Sequence, residues 1–160
     1  MKKRVLAADD DASVRQALKG LLEDNGYEVL LAADGKEAEA RLASETVDLL
    51  LLDLEMPERD GWDVVECLCV RNSLLPVIVI TGLAEQLDTR RIPGLDVLLE
   101  KPIDVAVLLK KIKELLSESS EDQLKRLTRR YEPKIAPASS CPGYLALPRA
   151  PRLSGTKPGL

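Results

Sequence analysis

Residues 47–53, Val-Asp-Leu-Leu-Leu-Leu-Asp, decide how this chain folds. Successive side chains of a strand point to opposite faces, so four leucines in a row, Leu49 to Leu52, load both faces with apolar surface. A strand of that kind belongs inside a parallel sheet that is covered by helices on each side. The run then stops at a carboxylate, Asp53. A charge at that point is an odd choice for a mere turn, and it marks a candidate site.

Working upstream, residues 4–8 (RVLAA) read as a short buried strand, followed by Asp9-Asp10-Asp11. Val14, Leu18, Leu21 and Leu22 recur at i, i+4, i+7 and i+8, which predicts a helix. Asn25-Gly26 ends it, as suits a left-handed C-terminal position. Residues 27–32 form the second expected strand, and Asp34-Gly35 turns the chain into a helix carrying Ala38 and Leu42.

Downstream, Asp60-Gly61 opens a third helix with Val64, Val65 and Leu68 on one side. Residues 76–81 (PVIVIT) are the fourth strand and residues 97–99 a short fifth. Between Gly82 and Gly94 only Leu83, Leu87 and Ile92 are large and apolar, and Pro93 intervenes, so the fourth helix is expected to be brief or frayed. The last clear helix runs from about Asp104 to Leu116, with Val105, Leu108, Leu109, Ile112, Leu115 and Leu116 on its apolar face. Asp104 is placed to cap it. The alternation is (βα)₅, an α/β class with a parallel sheet between helices. Periodicity alone leaves the strand order open.

Composition narrows the chemistry. The chain has no histidine, which excludes Ser-His-Asp and Cys-His catalysis and any imidazole metal ligand. From Ser117 onward there are eight bases and four acids, against 15 bases and 23 acids before it, so an acidic body carries a basic tail. An acidic body disfavours direct DNA binding. Cys67, Cys69 and Cys141 form no zinc pattern and no disulfide framework. Residues 1–8 lack the apolar stretch of a signal peptide and nothing reads as a membrane span, so a cytoplasmic location is expected. Six of the ten prolines fall in residues 133–160, which read as a disordered tail. Residues 119–132 hold Leu124, Leu127 and Tyr131 at helical spacing, as a short helix, an extension of the last one, or a dimerising or docking segment.

The polar residues of interest stand at strand ends. Asp9 and Asp10 follow the first strand, Asp53 ends the third, Thr81 ends the fourth and Lys101 follows the fifth. Ligand sites of open parallel sheets lie in the crevice outside the carboxyl ends of the strands, so these residues converge on one mouth. Carboxylates brought together there repel by roughly 4 kcal/mol per pair at 4 Å and an effective dielectric of 20. An oxygen-only site of this kind suits Mg²⁺ or Mn²⁺. A cation with the Lys101 ammonium would neutralise an incoming phosphoryl group, and the Thr81 hydroxyl would hydrogen-bond one of its oxygens. Asp53 is then available as a carboxylate nucleophile, and Gly82 leaves the approach open.

Four segments, LAADDDASVR (6–15), LLLLDLEMPERDGW (49–62), VIVITG (77–82) and LLEKP (98–102), together resemble the receiver domain of two-component response regulators over about residues 3–117. The resemblance implies a flavodoxin-like fold with strand order 2-1-3-4-5 and phosphorylation by a sensor histidine kinase or phosphotransfer protein. It implies that Asp53 is the phosphoacceptor, that Asp9, Asp10 and the backbone carbonyl of Glu55 complete the metal site with it, and that Thr81 is the switch hydroxyl. Lys101 matches the family lysine before a proline whose peptide bond is usually cis, here Pro102. Met56-Pro57 and Asp60-Gly61 match the loop leaving the third strand. Leu98 stands where the family usually has an aromatic switch residue, and Pro93 alters the usual output face.

Other polar residues have plainer readings. Asp11 is read as a helix N-cap, Trp62 as a packing residue, Arg15, Glu85 and Arg129-Arg130 as solvated surface, and Cys67 as core. The expected protein is a receiver at residues 1–118 without an attached effector, a monomer or phosphorylation-dependent dimer acting through contact with a downstream protein or through phosphorelay. A receiver-like scaffold that ignores phosphorylation is the alternative. A phosphatase of the haloacid-dehalogenase kind would carry its nucleophile on the first strand with an Asp two residues on, whereas here the third strand carries it and Glu55 follows.

Overall fold

The computed structural model describes residues 1–55, 74–82 and 96–130. Met56-Pro57, the expected helix after Asp60-Gly61 with Trp62, Cys67 and Cys69, the stretch 83–95 with Glu85 and Pro93, and the tail from Tyr131 lie outside the described residues. So do the side chains of Leu127, Arg129 and Arg130.

Five strands, β1 (Arg4–Ala8), β2 (Glu28–Ala32), β3 (Leu49–Asp53), β4 (Val77–Thr81) and β5 (Val97–Glu100), form one parallel sheet in the order β2-β1-β3-β4-β5. This is the flavodoxin-like order. The four leucines of β3 are all fully buried and split by parity. Leu50 and Leu52 pack with Leu6, Ala8, Val77, Val79 and Ala38 of helix α2 (Gly35–Ser44). Leu49 and Leu51 join Val5, Ala7, Ile78 and Ile80 on the other face. Leu18 and Leu22 of α1 (Ala12–Asp24) and Leu108 and Ile112 of α3 (Val105–Leu116) cover that second face. Each buried leucine contributes about 1.5–3 kcal/mol of transfer free energy, so the central strand is the chief apolar anchor of both layers.

Short-range chemistry sets the helix ends. The Asp11 carboxylate accepts from the N–H groups of Ser13 and Val14 and caps α1, as its position suggested. At the other end Gly26 has φ +87°, and Tyr27 N–H returns to the Leu22 carbonyl at 3.0 Å, the left-handed stop expected of Asn25-Gly26. Asp34 and Asp104 cap α2 and α3 in the same way. Val105 lies on the apolar face of α3 beside Ile103 and Leu108, as its spacing suggested, but stays 46% exposed in the first turn of that helix.

A further helix, α4 (Ser120–Arg130), follows α3 after Ser117, and a buried arginine holds it to the N-terminal edge of the sheet. Arg126 lies 3.2 Å from Asp96, donates to the Leu74 carbonyl at 3.1 Å, and faces Glu118 at 3.0 Å. Asp96 also accepts the Val77 N–H, so the cluster ties α4 to the starts of β4 and β5. Removing the guanidinium would strand a buried carboxylate. Arg126→Leu is therefore expected to lower stability by about 3–5 kcal/mol. Adding Asp96→Asn should recover part of that loss, with urea unfolding as the measurement.

Candidate functional site

The strand order decides where the site forms. The chain runs from β1 out to β2 and then crosses to β3 on the other side of β1, so the connections leaving β1 and β3 diverge and open a crevice. Ala8 pairs with Leu52, which brings Asp9 and Asp53 out of the sheet side by side. Thr81 pairs with Glu100, so Lys101 leaves β5 next to the end of β4, and its N–H bonds the Thr81 carbonyl at 2.9 Å. The peptide bond from Lys101 to Pro102 is cis.

Asp9, Asp53 and Thr81 are buried, Lys101 is half-buried and Asp10 is exposed. The Lys101 ammonium reaches Asp53 Oδ2 at 3.0 Å and Asp9 Oδ2 at 3.4 Å. The second oxygen of each carboxylate takes a backbone N–H, Glu55 to Asp53 Oδ1 and Asp11 to Asp9 Oδ1, both at 2.9 Å. These contacts leave little rotamer freedom in either aspartate. One carboxylate oxygen from each of Asp9, Asp10 and Asp53 lies within 4.8 Å of the others. Three hard oxygen donors so close together, one of them open to solvent, fit a Mg²⁺-type cation that keeps several waters.

Burial raises the Asp9 carboxyl above the ordinary range; the Asp11 N–H opposes this, the Asp53 charge adds to it and Lys101 counters it. Burial also pulls the Lys101 ammonium down, but its hydrogen bond to Asp53 and the charges of Asp53 and Asp9 outweigh that and leave it above an ordinary lysine. Lys101 is therefore a fixed positive charge throughout the neutral range.

Around this cluster, the Glu55 carboxylate accepts the Gly82 N–H at 3.3 Å across the ends of β3 and β4. Leu98 is half-buried and packs on the cluster containing Leu50, Leu52, Val77 and Val79. Arg15, read from sequence as plain surface, is half-buried and donates to the Asp9 and Asp10 carbonyls at 2.7 and 3.0 Å. A signal for it was present: a side chain in the first turn of a helix leans back toward the N-terminus, and here that means over the acidic loop.

Comparison with known proteins identifies the family and the fold. Residues 5–113 match the family described as the response regulator receiver domain. The response regulator MprA of Mycolicibacterium vanbaalenii is 38% identical over 126 residues, 76% of this chain and 54% of that protein. MprA of Mycobacterium tuberculosis H37Rv is 38% identical over 136 residues, 82% and 58% of the two chains. This chain thus spans little more than half the length of these relatives. Among solved structures, a CheY-like receiver domain protein of Methanospirillum hungatei aligns with a TM-score of 0.68 at 32% identity, over 78% of this chain and 98% of that one. The response regulator TrrA of Thermotoga maritima, solved in complex with Mg²⁺-BeF, aligns with a TM-score of 0.67 at 30% identity, covering 71% and 98%.

Because Lys101 and a cation would neutralise the same carboxylates, they compete. Lys101→Met is expected to lower the urea midpoint in chelator. The same variant should gain more stability from added Mg²⁺ than wild type does, since ligand-linked stabilisation grows with affinity. An equal gain in the two proteins would show that Lys101 does not share the cation's electrostatic role.

Proposed function

This chain belongs to the response regulator receiver family, and on that premise we propose that Asp53 is the residue that takes up the phosphoryl group. Response regulators are the phosphate-accepting switches of two-component systems and are phosphorylated by sensor histidine kinases. The observation that carries the assignment to Asp53 is its setting. It is a buried carboxylate at the mouth of the crevice, 3.0 Å from the Lys101 ammonium and grouped with Asp9 and Asp10.

In the proposed reaction a carboxylate oxygen of Asp53 bonds to phosphorus as the P–N bond of a phosphohistidine donor breaks, and the departing imidazole keeps the electron pair. Lys101 holds one phosphoryl oxygen by charge, and the Thr81 hydroxyl donates to another. The Gly82 N–H serves a third once the Glu55 carboxylate gives way. Asp9, Asp10, Asp53 and the Glu55 carbonyl are the proposed ligands of Mg²⁺ or Mn²⁺, which when bound neutralises charge developing on the phosphoryl group. Water attack on phosphorus resets the switch: the bond to Asp53 breaks, orthophosphate leaves and the carboxylate is restored.

Switching is proposed to run through Thr81 and the region 82–101, with Leu98 moving as an aliphatic rather than an aromatic side chain. The receiver is assigned to residues 1–118, the segment 119–132 to a short helical appendage whose described part is Ser120–Arg130, and residues 133–160 to a Pro-rich tail. Output is assigned to contact with a downstream protein, or to onward transfer of the phosphoryl group, in the cytoplasm and without direct DNA binding. Among the described residues no helix is long and apolar enough to cross a membrane.

A groove of about 390 Å³ runs between α1 and α3 beside the mouth, lined by Val14, Leu18, Leu21, Ile103, Val105 and Lys101 among others. A donor protein presenting its phosphohistidine to Asp53 would cover this apolar strip, and the apolar burial would favour docking.

Two measurements test the proposal. Incubation with acetyl phosphate and Mg²⁺ should add the mass of one phosphoryl group to wild type and none to Asp53→Ala; no gain in wild type would sink the assignment. Val105→Asp should slow transfer from a phosphohistidine-bearing protein by about tenfold, the equivalent of ~1.4 kcal/mol, while acceptance from acetyl phosphate stays near wild type.

A further inference from the structure

We infer that Arg15 is a positioning residue of the cation site: its guanidinium holds the Asp9-Asp10 turn in the conformation that presents both carboxylates to the crevice. The inference rests on the reading of Asp9, Asp10 and Asp53 as cation ligands.

Asp9 is tied at every polar group. Its N–H bonds the Ala32 carbonyl at 3.1 Å, Oδ1 takes the Asp11 N–H, Oδ2 faces Lys101, and its carbonyl takes Arg15 at 2.7 Å. Asp10 is exposed, and Arg15 holds its carbonyl at 3.0 Å. One guanidinium nitrogen thus bridges two consecutive carbonyls. That contact sets the backbone rotation at Asp9 and Asp10, and with it the direction of the Asp10 side chain.

The same arrangement has an electrostatic cost. A guanidinium beside an acidic loop repels an incoming cation, while its donors go to neutral carbonyls rather than to the carboxylates. Charge and geometry therefore predict opposite signs. If Arg15 acted only as a nearby charge, Arg15→Gln would tighten cation binding. If it positions the turn, the same substitution loosens binding, because outer contacts that orient metal ligands typically affect affinity 10- to 100-fold. A lysine keeps the charge but offers a compact ammonium in place of the planar fork, so it restores the turn only in part.

The experiment is calorimetric titration of the full chain with Mg²⁺, repeated with Mn²⁺ by electron paramagnetic resonance, on wild type, Arg15→Gln and Arg15→Lys. Circular dichroism and urea midpoints in chelator serve as fold controls. About a tenfold loss of affinity in Arg15→Gln, with Arg15→Lys intermediate and the chelator midpoints close to wild type, is the expected result. Unchanged or tighter binding by Arg15→Gln would overturn the role of Arg15 alone. A loss of affinity matched by a collapse of the midpoint in both variants would overturn it too, since the effect would then be one of folding. Failure of wild type to bind either cation would remove the cation-site reading itself.

Discussion

The contact between the Lys101 ammonium and the Asp53 carboxylate is the constraint on which the functional end of the molecule depends. It joins the end of β5 to the end of β3 across β4, with Asp9 of the β1 end as the second partner. Two buried carboxylates in one crevice repel, and the protein offsets that repulsion with a side chain that keeps its charge at neutral pH. Because the compensation comes from a residue distant in sequence, the crevice is assembled only when the whole parallel sheet is in register.

A second buried ion cluster, Arg126 with Asp96 and Glu118, lies at the other end of the same sheet. Asp96 precedes β5 and Lys101 follows it, so the two clusters bracket one short strand. Ion clusters of this sort contribute more to a unique arrangement than to net stability, since desolvation opposes much of their attraction. Here the upper one shapes the crevice at the strand ends, and the lower one fixes a helix beyond the residues that match the family.

Much of the fold was legible because its signals are local. The parity-split leucines of β3, the Asn25-Gly26 stop and the Asp11 and Asp104 caps each follow from a few neighbouring residues. The convergence of Asp9, Asp10, Asp53 and Lys101 was legible for a different reason: any parallel sheet sends the ends of its strands to one edge. Arg15 was read as surface because its carbonyl partners carry no charge signal, although its place in the first turn pointed over the acidic loop. Arg126 was not singled out because its partners Asp96 and Leu74 are distant in sequence. Helical spacing put Val105 on the apolar face correctly, but it could not show that the first turn is left partly open to solvent.

The sequence by itself determined the class of fold, the identity of the charged residues at the strand ends and the type of chemistry open to them. Those properties reside in patterning and composition, including the lack of any histidine. Tertiary structure alone decided which groups touch. It chose the strand order that opens the crevice between β1 and β3, set Lys101 on Asp53 rather than in solvent, and turned Arg15 onto the acidic loop. Contacts between residues as far apart as 9 and 101 depend on register and packing across the sheet, and those are properties of the assembled core.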